Sequence, residues 1–172
     1  MLQAQQAAAG TTFTYLFFPA IGALARVWGG WLVTGALLHL ATTLLGGHVT
    51  MRSMMNRVAW AGLPYAVRDV VRSLYLWLGH RVIASPGLSG LVSSEGGTLA
   101  TAWAALLGLI DLYLVWQVLL LVAAIRSGGD PGPRKAWASV LITEIVVLAL
   151  QVVLAVLIAR LSALTIIRPF PF

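Results

Sequence analysis

The chain has 172 residues, 60% of them hydrophobic and only 9% charged, too few charges to clothe a soluble domain in a polar exterior. Its net charge of +6 is spread over short connecting stretches, which argues against nucleic acid as a partner and for a record of membrane topology. With no cysteine, disulfides, thiolate metal sites and thiol nucleophiles are excluded.

Residues 1–10 contain no basic side chain and do not resemble a secretory leader. The first apolar stretch runs over 13–45 and is interrupted by Pro19 and Arg26. Its second part, 27–45, is long enough to cross a bilayer. The first, 13–25, is too short to cross and reads as an entry helix at the interface, bent by Pro19.

The second apolar segment is 58–79. The third is 99–125, with Asp111 near its middle, and the fourth is 136–159, with Glu144 and Gln151. The connections "GGHVTMRSMMNR", 80–98 and "RSGGDPGPRK" carry the glycines, prolines and polar residues that end helices. No internal repeat or second domain is visible. The expectation is one all-α, polytopic helical membrane domain over 1–172, with about four transmembrane helices and a short N-terminal interfacial or half helix.

Arg52 and Arg57 lie in the first connection, Arg126, Arg134 and Lys135 in the third, and Arg81 alone in the middle one. Four crossings put the first and third on one side, which the positive-inside rule assigns to the cytoplasm. This predicts a multi-pass protein of the cell membrane with 46–57 and 126–135 cytoplasmic and the C-terminus outside. An in-plane amphipathic helix at 58–79 would break that pattern, so a spanning helix is the better reading.

That segment holds the stretch "LPYAVRDVVRSLYLW". At 100° per residue, Arg57, Tyr65, Arg68, Asp69 and Arg72 form one stripe, opposite Leu63, Val67, Val70, Leu74 and Trp77. Three central charges cost about 8–10 kcal/mol on the insertion scale, and the segment's Val and Leu residues return only about 3–5 kcal/mol. It needs neighbours that accept the stripe. Arg68 and Asp111 fall at similar depth, so Arg68 and Arg72 are expected to pair with Asp111, with Glu144 closing the network from the cytoplasmic side. Asp69 could instead reach Arg72 along its own helix. The candidate site is therefore an intramembrane polar network of Arg68, Asp69, Arg72, Asp111 and Glu144. A structural seam outweighs a transport path, because the spacing resembles neither a proton relay nor a charged ring.

His39 is the one histidine well inside a predicted span, and a packing role outweighs a haem or pigment ligand, which would want a second facing imidazole. No HExxH-like spacing and no nucleophile elbow occurs, so no catalytic residue, cofactor or metal is expected. Trp28, Trp31, Trp77 and Trp137 read as interfacial anchors, Trp60 and Trp116 as packing residues. Ala104 and Gly108 form a small-xxx-small pair just before Asp111.

"LLGGHVTMRSMMNRVAWAGLPYAVRDVV" resembles the loop and following helix of the Yip-domain family, bacterial branch, relatives of the Ypt/Rab-interacting membrane proteins. "LLGLIDLYLVWQVLLLVAAIRSGGDPGPRKAWASVLI" is similar to the family's next helix, basic loop and helix, and the resemblance covers about 27–161. It implies a non-catalytic membrane scaffold or accessory subunit that associates with the lipid bilayer and with other integral membrane proteins, a transporter or larger complex among them. Family members typically have five membrane helices, and here the first is absent or shortened to 13–25. Rab binding is not carried over, since the acidic Tyr/Gly motif of the eukaryotic branch is missing. The alternatives are a transport subunit with a path through Arg68, Asp111 and Glu144, and an accessory subunit of a respiratory or photosynthetic complex.

Overall fold

The computed structural model describes residues 2–79, 87–91, 97–128 and 131–164, with the side chains of 17–79, 87–91, 97–128 and 131–161. Its elements are α1 (Leu2–Leu44), α2 (Met51–Ala61), α3 (Leu63–Gly79), a 3-10 turn (Ser89–Leu91), α4 (Gly97–Leu109), α5 (Leu112–Arg126) and α6 (Pro133–Leu164). The described residues contain no strand. The expectations for Arg81 and for the C-terminal end fall outside the described residues.

The separate entry helix expected at 13–25 is not a separate element, since α1 continues through Pro19. A proline removes a single N–H donor, and membrane helices tolerate that loss. α1 stops at a Schellman turn. Gly46, at φ +85°, donates to the Thr43 carbonyl at 3.0 Å and Gly47 donates to Thr42 at 2.9 Å, closing the last orphan carbonyls.

The segment expected as one helix over 58–79 is two. The Thr50 hydroxyl caps α2 by accepting from Ser53 N–H at 3.4 Å, so most of the first predicted loop is helical. The chain then turns at Gly62, whose N–H bonds back to Val58 and Ala59, and α3 begins with Pro64 in its first turn. There the missing proline donor costs nothing. The Trp31 indole N–H, on α1, donates to the Met55 carbonyl at 2.9 Å. A Cβ at Gly35 would overlap the Met55 thioether, so α1 and α2 approach closely because Gly35 is bare.

The segment expected at 99–125 is broken as well. α4 and α5 meet at a 60° bend over Ile110 and Asp111. Gly87 lies over the end of α4, where an added Cβ would come within 2.8–2.9 Å of the Leu107, Gly108 and Ile110 carbonyls. Its φ of +58° suits glycine, and the next residue, Leu88, donates to the Leu107 carbonyl at 2.9 Å. One of the open carbonyls at the end of α4 is thereby satisfied.

The core gathers Leu38, Met54, Val58, Ala61, Leu121, Val122, Ile125, Ala136 and Val140 from α1, α2, α5 and α6. Around it α1 packs on α2 and α6, α5 on α6, α2 and α3, and α4 on α6. Phe17–Leu44 and Pro133–Leu161 are each long and apolar enough to cross a membrane, and the bent pair of α4 and α5 makes a third if taken as one span. The helices therefore supply two or three candidate spans where four were expected, because breaks at Gly62 and Asp111 shorten the middle ones. Trp60 and Trp116, expected between helices, face outward instead, Trp60 at 66% exposure. On a bundle whose surface is this apolar, an outward indole is ordinary.

Candidate intramembrane charge site

The site is built on the bend between α4 and α5. Asp111 has extended backbone, φ −140° and ψ 176°, and its Oδ1 accepts from Leu114 N–H at 2.9 Å as the N-cap of α5. A helix start inside an apolar bundle leaves donors that lipid cannot satisfy, and the carboxylate supplies one acceptor. Its negative charge also sits at the positive end of the α5 dipole.

The other oxygen faces α3. Arg68 Nη1 lies 3.4 Å from Asp111 Oδ2, and Arg72 Nη2 lies 3.8 Å from the same atom. Arg68 and Asp111 keep only 11% and 12% of their side-chain surface exposed. The Arg68 guanidinium also sits over the Tyr65 ring, 4.5 Å from its centroid. Residues 65, 68 and 72 share one face of a helix, which is why all three turn toward α5 together. Val67, Val70, Leu74 and Trp77 are exposed on the opposite face. α3 is thus amphipathic with its polar stripe turned into the bundle and its apolar stripe turned out, the sense that lipid requires.

Asp69 is placed differently from the pairing with Arg72 suggested by sequence. Its Oδ1 lies 3.5 Å from Arg68 Nε, and its side chain is 64% exposed. Arg72 instead turns to Asp111, whose charge is shielded from solvent.

Glu144 does not join the pairs. It is 6% exposed, and its Oε1 has no hydrogen-bond partner among the described residues. Tyr65 lies within electrostatic range of Glu144, Arg68, Asp111 and Arg26. Gln117 Oε1 on α5 and Thr143 Oγ1 on α6 are likewise buried without partners, whereas Thr42 and Ser139 bond back to carbonyls of their own helices. Sequence reasoning places Tyr65 on the polar stripe but leaves it out of the site, although its position three residues before Arg68 signals it. It misses Gln117, the one amide within 99–125. His39 Nδ1 is buried and unpartnered, and among the described residues no group of three His, Asp or Glu side chains could hold a metal ion.

Apolar helices long enough to span a bilayer, bent around a buried ion-paired seam, define an all-helical integral membrane protein. The Yip1 domain profile matches residues 1–157, and the chain belongs to the Yip1 domain family. The match begins at residue 1, so α1 lies within the family domain from its start, where the resemblance had been traced only from about residue 27. No similar curated protein and no similar solved structure was found.

Proposed function

We propose that the chain is a non-catalytic membrane subunit that associates with other integral membrane proteins. The observation that carries this reading is the saturation of Asp111. One oxygen caps α5 and the other holds two arginines, so the seam's one buried paired carboxylate is committed to fixing α3 against α5. A carboxylate so employed is suited to registering helices rather than to exchanging protons or substrate. The extensive outward apolar surface, including Leu63, Val70, Leu74 and Trp77 on α3, suits lipid and the faces of membrane partners.

The topology that goes with this reading keeps both basic connections on the cytoplasmic side. Pro131 packs near Gly47, and the Arg57 guanidinium reaches Gly128, so the first and third connections meet at one end of the bundle. The test is purification of the full chain from its native membrane in mild detergent, with mass spectrometry of what co-purifies. Stoichiometric membrane proteins are expected. A solitary monomer across several mild detergents would count against association.

A transport path through Arg68, Asp111 and Glu144 is the second reading, and the unpartnered Glu144 Oε1 favours it. Glu144→Gln would separate the two, since a path through that carboxyl loses flux while a scaffold keeps its partners.

A further inference from the structure

We propose that the end of the bundle where the first and third connections meet is a binding site for the phosphate headgroup of an anionic phospholipid. A charge imbalance that only the tertiary structure assembles marks this end. Arg52 and Arg57 come from α2, Arg126 from the end of α5, and Arg134 and Lys135 from the start of α6. Two contacts bring these groups together across the connections. The Arg57 guanidinium lies against Gly128, within 2.6–3.2 Å of where a Cβ would stand, and Lys135 Nζ lies 3.5 Å from the corresponding point on Gly46. α2 thus extends its cation to the third connection, and α6 extends one to the first.

Among the described residues the ion pairs involve only Arg68 and Arg72 with Asp69 and Asp111, all on the seam. Among the described residues the five cations at this end have no carboxylate partner, and Arg57 Nη1 is buried without a hydrogen-bond partner. In sequence the two connections contain a single acid, Asp130, against these five. Arg52, Arg126, Arg134 and Lys135 are exposed, at the start of α2, the end of α5 and the start of α6. An open depression of about 460 Å³ there is lined by Thr50, Arg52, Ser53 and Asn56, all able to donate to phosphate oxygens.

An acidic protein segment would also satisfy the charge. The lipid is favoured by position, because the cations stand at the ends of apolar helices that carry them to the headgroup level of a bilayer. Arginine forks and a lysine around small polar donors suit a phosphodiester, with lysine acting as a point charge.

Native mass spectrometry of the detergent-purified full chain tests this, with phosphatidylglycerol and phosphatidylcholine added at equal concentration and inorganic phosphate in a third arm. Preferential retention of phosphatidylglycerol is expected, unchanged by inorganic phosphate at the same concentration. The triple variant Arg52→Gln, Arg134→Gln, Lys135→Gln removes only exposed charges, and should lower that preference on the order of tenfold or more. Arg160→Gln, at the opposite end where Arg160 bonds Thr98, should leave it intact. Equal retention of the two lipids overturns the proposal and is what an acidic-protein site would give. Displacement by inorganic phosphate, an unchanged triple variant, or an equal loss from Arg160→Gln overturns it too.

Discussion

Asp111 answers Arg68 with one carboxylate oxygen and starts a helix with the other, Nη1 lying 3.4 Å from Oδ2 while Leu114 N–H lies 2.9 Å from Oδ1. The bend and the ion pair are therefore one device. Breaking a membrane helix exposes donors, a carboxylate satisfies one of them, and the buried negative charge this creates is neutralised from α3.

These two duties separate by substitution. Asp111→Asn retains a good cap but leaves Arg72 without an anion and Arg68 with only the exposed Asp69, and should cost about 3 kcal/mol. Asp111→Ala loses the cap also, for about 1 kcal/mol more. Reversible unfolding in mixed micelles measures both. An Asn variant as stable as the parent would show that the pair contributes nothing to the fold.

Glu144→Gln is expected to behave in the opposite way. Its Oε1 has no partner to lose, so the change should fall within about 1 kcal/mol of zero or stabilise, because a buried carboxyl without a counter-ion gives way to a neutral amide of the same shape. Leu121→Ala, in the centre of the core, should cost about 2–5 kcal/mol in the same assay. A loss at Glu144 as large as that at Leu121 would reveal a partner on which the fold depends.

Gly87→Val places a Cβ among the Leu107, Gly108 and Ile110 carbonyls at a backbone conformation that suits glycine. The strain should cost about 1–3 kcal/mol and loosen the junction of α4 and α5. Faster proteolysis near Ile110 than in the parent is the expected signature, and an unchanged cleavage pattern would contradict this placement.

The absence of cysteine makes the chain a clean background for mapping its two ends. Ser53→Cys and Ser127→Cys should both react with a membrane-impermeant maleimide from one face of sealed vesicles, and Thr98→Cys from the other. Labelling of Ser53→Cys and Ser127→Cys from opposite faces would exclude a shared side for the first and third connections.

Much of this arrangement is legible in the residues themselves. Few charges and long apolar runs demand lipid, and the stripe that holds Arg68, Asp69 and Arg72 demands an interior anion, because three charges outweigh what the segment's aliphatic residues return. Asp111 is the acid at matching depth. That it ends one helix and begins another is not legible, since "LLGLIDLYLVW" reads as unbroken apolar sequence and a buried aspartate signals its charge before its capping role. Pro19 gives the converse case, since the residue most expected to interrupt a helix leaves α1 continuous.

A helical membrane protein, the candidate residues of a polar seam and the likeness of two basic connections are readable from the chain alone, because composition, period and charge act locally; the likeness to the Yip family rests on the two matching stretches. The tertiary structure alone decided where helices break, which acid the arginines hold, that Glu144 stands apart, and that the basic connections meet. Those outcomes depend on which groups are left unsatisfied once neighbours are packed: Gly62 and Asp111 yield where the bundle can supply partners for the freed backbone, and a charge pairs with the counter-ion that packing, rather than sequence distance, brings within reach.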